Sequence, residues 1–139
     1  MEKLLLSLII STLTPVLMAS SCKETTSKVA NPCEGVICTM MFAMVTVQVT
    51  DAAGVPVQLD EVYTIRQKNN ERISLEQQMQ DGRYNIIDDS YQKELANTAE
   101  KFTFFGVKGG KVVVQESYTI GADCCHVKKQ SGKDVIVAR

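Results

Sequence analysis

Short runs of alternating apolar and polar residues, separated by turn residues, constrain the fold of this chain most. From Val45 to Thr50, valines alternate with threonine and glutamine, which is the two-residue period of a half-buried strand. The preceding TMMFAM, residues 39–44, is apolar at odd and even positions alike. Both faces of a strand here would be apolar, which predicts a strand end that is covered on both sides. Further strand-like runs lie at residues 61–67, 83–88, 101–107, 112–120, 124–129 and 134–138.

Turn and cap residues divide these runs into a mainly β fold. Gly109 and Gly110 supply the positive φ angles of a hairpin between residues 101–107 and 112–120. The single helical pattern is DDSYQKELANTA, which Asp88, Asp89 or Ser90 would cap, and residues 72–80 show no clear pattern. About seven short strands and one short helix predict an antiparallel β-sandwich.

Part of this pattern resembles a known domain family. VTVQVTDAAGVPV at residues 45–57 and GRYNI at residues 82–86 resemble transthyretin-like or carboxypeptidase-regulatory-like domains. The resemblance implies an immunoglobulin-like or transthyretin-like sandwich of about seven strands, used in bacterial envelope proteins as a structural or binding unit. The matching positions are Val47, Val49, Asp51, Gly54, Pro56, Val57, Gly82, Arg83 and Tyr84.

The N-terminus resembles the export signal of bacterial lipoproteins. The run from Leu4 to Met18 has no charged residue, and its length falls short of the about 20 residues that a transmembrane helix needs. The ASSC that follows resembles a lipobox, which ends at Cys22. The resemblance implies a signal peptide at residues 1–21, lipid attachment at Cys22 and a membrane as the partner of that anchor.

The mature chain then has two parts, a polar tether at residues 22–32 and the β-sandwich domain at residues 33–139. Lys23 stands where some bacteria place an inner-membrane retention aspartate, so the expected location is the cell envelope, at the outer membrane on its periplasmic face or the cell surface. A net charge of −1 excludes the basic field that nucleic-acid binding needs. The expected partner is therefore an envelope protein or a glycan.

Four further cysteines lie near the two ends of the predicted domain. Cys33 and Cys38 lie in CEGVIC, and Cys124 and Cys125 are adjacent. Disulfides persist in exported domains, and neighbouring side chains on a strand point to opposite faces. A bridge between adjacent cysteines would bring two Cα atoms to about 3.8 Å, closer than disulfides favour. The sequence thus predicts two long-range disulfides between CEGVIC and the CC pair, in either of two pairings.

The same cysteines allow an alternative, a small copper or zinc site. Its ligands would be Cys33, Cys38, Cys124, Cys125 and His126, with the nearby Met40, Met41 and Met44 as soft sulfur donors for copper. A redox role ranks third, because neither cysteine pair has the C-x-x-C spacing.

We expect no catalytic function and no cofactor. The chain has no G-x-S-x-G, H-E-x-x-H or phosphate-loop motif. A Ser-His-Asp triad would have to recruit the single histidine, His126, and Asp88–Asp89 are better explained as helix caps than as an acid–base pair.

Overall fold

In a computed structural model that describes residues 32–75 and 81–139, strands account for most of the regular structure. Cys22, the predicted signal peptide and nearly all of the predicted tether lie outside the described residues. The eight described strands are β1 Met44–Thr50, β2 Glu61–Arg66, β3 Glu71–Ile73, β4 Arg83–Asp88, β5 Ala99–Lys108, β6 Lys111–Ala122, β7 Val127–Ser131 and β8 Val135–Val137.

The strands form two sheets that enclose a common core, so the mainly β, sandwich-like architecture is confirmed. One sheet has the order β4-β1-β8 and the other the order β3-β2-β5-β6-β7. Val47 and Val49 of β1 belong to the same buried cluster as Phe102 and Phe104 of β5. The three valines of β1 are buried, and Thr46 and Gln48 between them are half-buried, as the alternation predicts.

The structure differs from the expected sandwich in two respects. First, the described residues contain eight strands rather than about seven, because β3, which overlaps the first residues of the segment without a clear pattern, pairs with β2. Three residues are too few to display a period of two. Second, β8 pairs with β1 in parallel, so the three-stranded sheet is mixed and not purely antiparallel. Side-chain alternation is the same in parallel and antiparallel strands, and thus carries no information on this direction.

The predicted hairpin between β5 and β6 is confirmed. The two strands pair over ten residue positions, and Gly109 and Gly110 between them have φ angles of 56° and 72°. Positive φ at both central positions suits the right-handed twist of the flanking strands. The backbone N–H of Gly109 also donates to Asp60 Oδ2 at 2.6 Å, which links the hairpin to the approach to β2.

The predicted helix is present but very short. A 3₁₀ turn at Asp89–Tyr91 leads into α1, Gln92–Leu95. The side chain of Asp88 accepts from the backbone N–H of Ser90 and caps the turn, which is one of the predicted caps. Across residues 32–75 and 81–139, none of the helices has the length and apolar character needed to span a bilayer.

One charged network is buried at the edge of the core. Arg66 of β2 is 5% exposed and donates through Nε and Nη2 to the carboxylate of Glu100, at 2.7 and 3.2 Å. Its Nη1 donates to Glu94 of α1. The hydrogen bonds from Arg66 and Lys68 hold the pKa of Glu100 below its usual value, against the opposing effect of burial. The network ties α1 to the five-stranded sheet.

Candidate functional site

Both predicted long-range disulfides are present, and their pairing is now defined. Cys33 is bonded to Cys124 and Cys38 to Cys125, each with a Cα–Cα distance of 5.3 Å. The bridges join residues 91 and 87 positions apart. They attach the segment before β1 to the connection between β6 and β7, so the N-terminal end of the described chain is covalently joined to a part of the chain near its C-terminus.

The placement of the two adjacent cysteines on a strand was wrong. Cys124 and Cys125 lie in a bend, and β7 begins only at Val127. Oδ1 of Asp123 accepts from the backbone N–H groups of Cys125 and His126, both at 2.8 Å, and its own N–H donates to His126 O. This side chain-to-backbone turn, rather than strand alternation, directs the two thiols to different partners.

Asp123 is also paired with a lysine. Lys128 Nζ lies 2.5 Å from Asp123 Oδ2. This hydrogen bond, together with the two backbone N–H donors of the turn, holds the pKa of Asp123 well below its usual range. The Asp123 carboxylate therefore stays ionised, and accepts the hydrogen bonds of this turn, throughout the physiological pH range.

A carboxylate, an imidazole and a hydroxyl form a chain of contacts beside the disulfides. His126 Nδ1 lies 2.8 Å from Asp89 Oδ2, and His126 Nε2 lies 3.2 Å from Thr39 Oγ1. A carboxylate only accepts, so Nδ1 carries the proton toward Asp89. In the neutral ring, Nε2 is then the acceptor for the threonine hydroxyl.

Asp89 is the centre of this arrangement, and its assignment as a helix cap was wrong. Its Oδ2 accepts from the backbone N–H of Ala43 at 2.7 Å, and its Oδ1 accepts from that of Val127 at 2.8 Å. Burial raises the pKa of the carboxyl, whereas the hydrogen bonds from Ala43, His126 and Val127 lower it, and the net direction is downward. One carboxylate therefore joins the segment before β1, the 3₁₀ turn and the start of β7.

We call residues 33–44 the pinned segment, because two disulfides and the contacts of Thr39 and Ala43 hold it against the rest of the domain. The expectation that TMMFAM is covered on both sides was wrong. Met40 is fully exposed, and Met41 and Phe42 are 73% and 62% exposed. Regular pairing of β1 with β4 begins only at Met44, so the residues before it have no sheet on either face.

The structure brings all five ligands of the metal alternative to one region, with the four cysteines bonded as disulfides. Within residues 32–75 and 81–139, no group of three or more His, Cys, Asp or Glu side chains is placed to hold a metal ion. The disulfides leave no thiolate for coordination, and a metal site here would first require their reduction.

Sequence reasoning missed Thr39 and the true role of Asp89. Thr39 lies 87 residues from His126, and Asp89 lies 46 residues from Ala43. Neither separation forms a local motif, and the adjacent aspartates of DDS also fit a cap. The only available signal was the single histidine, which any carboxylate–imidazole contact in this chain must use.

Chemically, the chain of contacts has the order of groups that can activate a hydroxyl. Two surface depressions in the described part of the chain lie elsewhere. One, of about 590 Å³, lies between β6 and β8 and is lined by residues 112–116, 133, 135–137 and 139. The other lies beside β1 and β7. Neither is lined by Thr39 or His126. The contacts of Thr39, His126 and Asp89 connect the pinned segment with the start of β7.

Comparison with protein-family models, curated proteins and solved structures gives no match for this chain.

Proposed function

We propose that this chain is a lipid-anchored module of the bacterial cell envelope that binds a partner and does not catalyse a reaction. The observation that carries the proposal is the pair of disulfides between the pinned segment and the β6–β7 connection. Disulfides persist where the compartment is oxidising, and the lipobox-like sequence that ends at Cys22 would deliver the chain to such a compartment.

The transthyretin-like character of the domain is part of this proposal. The residues that carry the resemblance meet at one corner of the fold. Asp51 Oδ1 accepts from two backbone N–H groups of its turn, and Gly54 has a φ of 80°. A Cβ on Gly82 would lie 2.7 Å from Pro56 Cβ. The hydroxyl of Tyr84 donates to Val57 O and accepts from Leu59 N, both at 2.8 Å.

Lipid attachment at Cys22 would hold this domain at a membrane, with residues 23–32 as the tether. We place it at the outer membrane, as the residue after Cys22 suggests. Two or more acyl chains are needed for stable anchoring, which is what a lipoprotein cysteine supplies. A partner among envelope proteins or glycans fits a module whose most distinct features are turn geometry and disulfides rather than acid–base groups.

The test is to purify the full chain from membranes and measure its mass with and without reductant. Acylation at Cys22 should appear as added mass and as incorporated labelled palmitate, and the Cys22→Ser variant should lack both. The two disulfides should make the oxidised domain lighter than the reduced one by four hydrogens. Wild-type protein without acyl groups, or four free thiols with bound copper or zinc, would contradict the proposal.

A further measurement tests the non-catalytic part. Thr39 is the only hydroxyl that contacts His126 in the described residues, so Thr39→Val removes the one nucleophile that the site could offer. We expect wild type and variant to hydrolyse activated esters at the same background rate. A rate that is higher for the wild type and lost in Thr39→Val would show catalysis.

A further inference from the structure

Exposed apolar side chains are concentrated in the pinned segment. The described residues contain ten large hydrophobic side chains that are exposed, and six of them lie in the nine residues from 36 to 44. Exposed apolar side chains that cluster in this way are typical of a contact with a protein, a ligand or a membrane. The six are Val36, Ile37, Met40, Met41, Phe42 and Met44.

Disulfides and hydrogen bonds at both ends of the pinned segment restrain the backbone that carries these side chains. The two disulfides hold Cys33 and Cys38. Further along, Ala43 both donates to Asp89 Oδ2 and accepts from the backbone N–H of Asp89, at 2.7 and 3.1 Å. The exposure of Met40 and Met41 therefore belongs to a restrained loop and costs little further ordering on binding.

The surroundings in sequence are uncharged. From Gly35 to Thr50 the chain has no Asp, Glu, Lys, Arg or His, and the nearest charges are Glu34 and Asp51. Exposed phenylalanine, methionine and isoleucine side chains are suited to the boundary between lipid headgroups and acyl chains.

We propose that the pinned segment inserts into the lipid bilayer and is a second membrane contact of this protein. The inference rests on the proposed lipid anchor at Cys22. The predicted tether of residues 23–32 separates Cys22 from the pinned segment, and a flexible chain of about ten residues has an end-to-end distance of about 16–19 Å.

That short tether favours lipid over a protein as the occupant. It keeps Ile37 and Met40 at a high effective concentration relative to the anchoring membrane, whereas a separate protein would have to reach them by diffusion. Two contacts, the acyl chains and the pinned segment, would orient the sandwich on the membrane instead of leaving it to rotate on its tether.

A single introduced tryptophan tests the contact, because the chain has none of its own. Met40→Trp places the reporter at the centre of the pinned segment, and Val55→Trp is the matched control. Val55 is also exposed, but it follows the far end of β1, about 20 Å along the strand. Both full-length variants are purified from membranes and reconstituted into vesicles of phosphatidylethanolamine and phosphatidylglycerol, with or without brominated acyl chains.

We expect the Met40→Trp emission to shift to shorter wavelength and to lose at least half its intensity in brominated vesicles. The Val55→Trp emission should stay at the wavelength of a water-exposed tryptophan, and brominated lipid should not quench it. Equal emission and quenching from the two sites would overturn the proposal. So would a blue-shifted Met40→Trp signal without bromine quenching, since a second copy or another protein would then cover the segment.

The mass of the same samples separates this proposal from the function on which it rests. Missing acyl groups on Cys22 would refute the lipid anchor. Acylated protein whose Met40→Trp signal remains water-like would refute the membrane contact alone. Both variants should retain the four-hydrogen mass difference on reduction, which shows that the two disulfides are intact.

Discussion

Replacing Asp89 with asparagine tests whether one carboxylate holds the pinned segment to the sheet. The shape of the side chain is kept, but one of its two acceptor oxygens becomes an NH₂ group. Three N–H donors converge on Asp89, from Ala43 and His126 on Oδ2 and from Val127 on Oδ1, all within 2.8 Å. Asparagine therefore leaves at least one of them without an acceptor.

The expected loss of stability follows from those contacts. The least costly orientation keeps the oxygen toward Ala43 and His126 and leaves the N–H of Val127 unpaired. Val127 is 5% exposed, so this donor loses an acceptor that water does not replace, at about 1–3 kcal/mol. The two remaining bonds also lose their charged acceptor. Together we expect the free energy of unfolding to fall by about 2–4 kcal/mol.

The loss should depend on pH in a defined direction. The pKa of Asp89 in the folded protein lies below its ordinary value, so the carboxylate contributes stability above the unfolded-state pKa of about 3.9. That contribution disappears as the pH falls through the lower, folded-state pKa. The difference between wild type and Asp89→Asn should thus be complete at pH 7 and shrink below about pH 4.

Urea unfolding of oxidised wild type and Asp89→Asn, at pH 7 and below about pH 4, measures this difference in the free energy of unfolding. A loss of 2–4 kcal/mol corresponds to a midpoint lower by about 1–2 M, for a slope near 2 kcal/mol/M. The control is Asp134→Asn, which removes a carboxylate that is 84% exposed and paired with Lys129, and should cost under about 1 kcal/mol. A loss for Asp89→Asn no larger than that of the control, or one that does not shrink in acid, would refute the reasoning.

Three further changes probe other parts of the fold. Replacing Cys38 and Cys125 together by serine should lower stability by about 2–3 kcal/mol in urea, because the other bridge still closes the long loop and only a short ring opens. Arg66→Met removes the buried partner of the Glu100 carboxylate and leaves it only the exposed Lys68, and should cost up to about 3–5 kcal/mol, which Glu100→Gln in the same chain partly restores. Gly121→Ala puts a Cβ 2.0 Å from a backbone carbonyl oxygen, and should lower Tm by an amount equivalent to more than about 2 kcal/mol.

The last two of these changes have a matched control variant. Lys133→Met breaks a more exposed ion pair with Glu116 and should cost under about 1 kcal/mol. Gly106→Ala brings its Cβ to 2.6 Å from the end of the Leu59 side chain, which can move more readily than a backbone oxygen. Equal losses for Arg66→Met and Lys133→Met, or for Gly121→Ala and Gly106→Ala, would count against burial as the deciding factor. If the variant with serine at Cys38 and Cys125 were as stable as wild type, the second disulfide would not stabilise the fold.

Local patterns predicted the elements whose causes are local. The alternation of β1 and the Gly109–Gly110 turn depend on residues within a few positions, and both agree with the structure. The preference for long-range disulfides was also correct, although it rested on strand geometry at Cys124 and Cys125 that the structure replaces with a bend. A correct conclusion there came from a constraint, the short Cα–Cα distance of neighbours, that holds in either conformation.

Features that depend on distant residues did not follow from the pattern. The exposure of Met40 and Met41 depends on whether another strand covers them, and the sheet pairing of β1 stops at Met44. An apolar run is compatible with burial on both faces or with contact to something outside the domain. Hydropathy alone does not distinguish these cases, because it describes the residue and not its surroundings.

By itself, the sequence determined the strand-rich class of this protein, its main turns and the bonding of its cysteines across the length of the chain, because these depend on side-chain period, backbone φ preferences and thiol geometry. Only the tertiary structure decided that Cys33 pairs with Cys124 and Cys38 with Cys125. The same is true of the parallel pairing of β8 with β1, and of the hydrogen bonds by which Asp89 and His126 hold the pinned segment. The physical reason is that these contacts join residues 37 to 91 positions apart, whose meeting depends on how all the strands pack together.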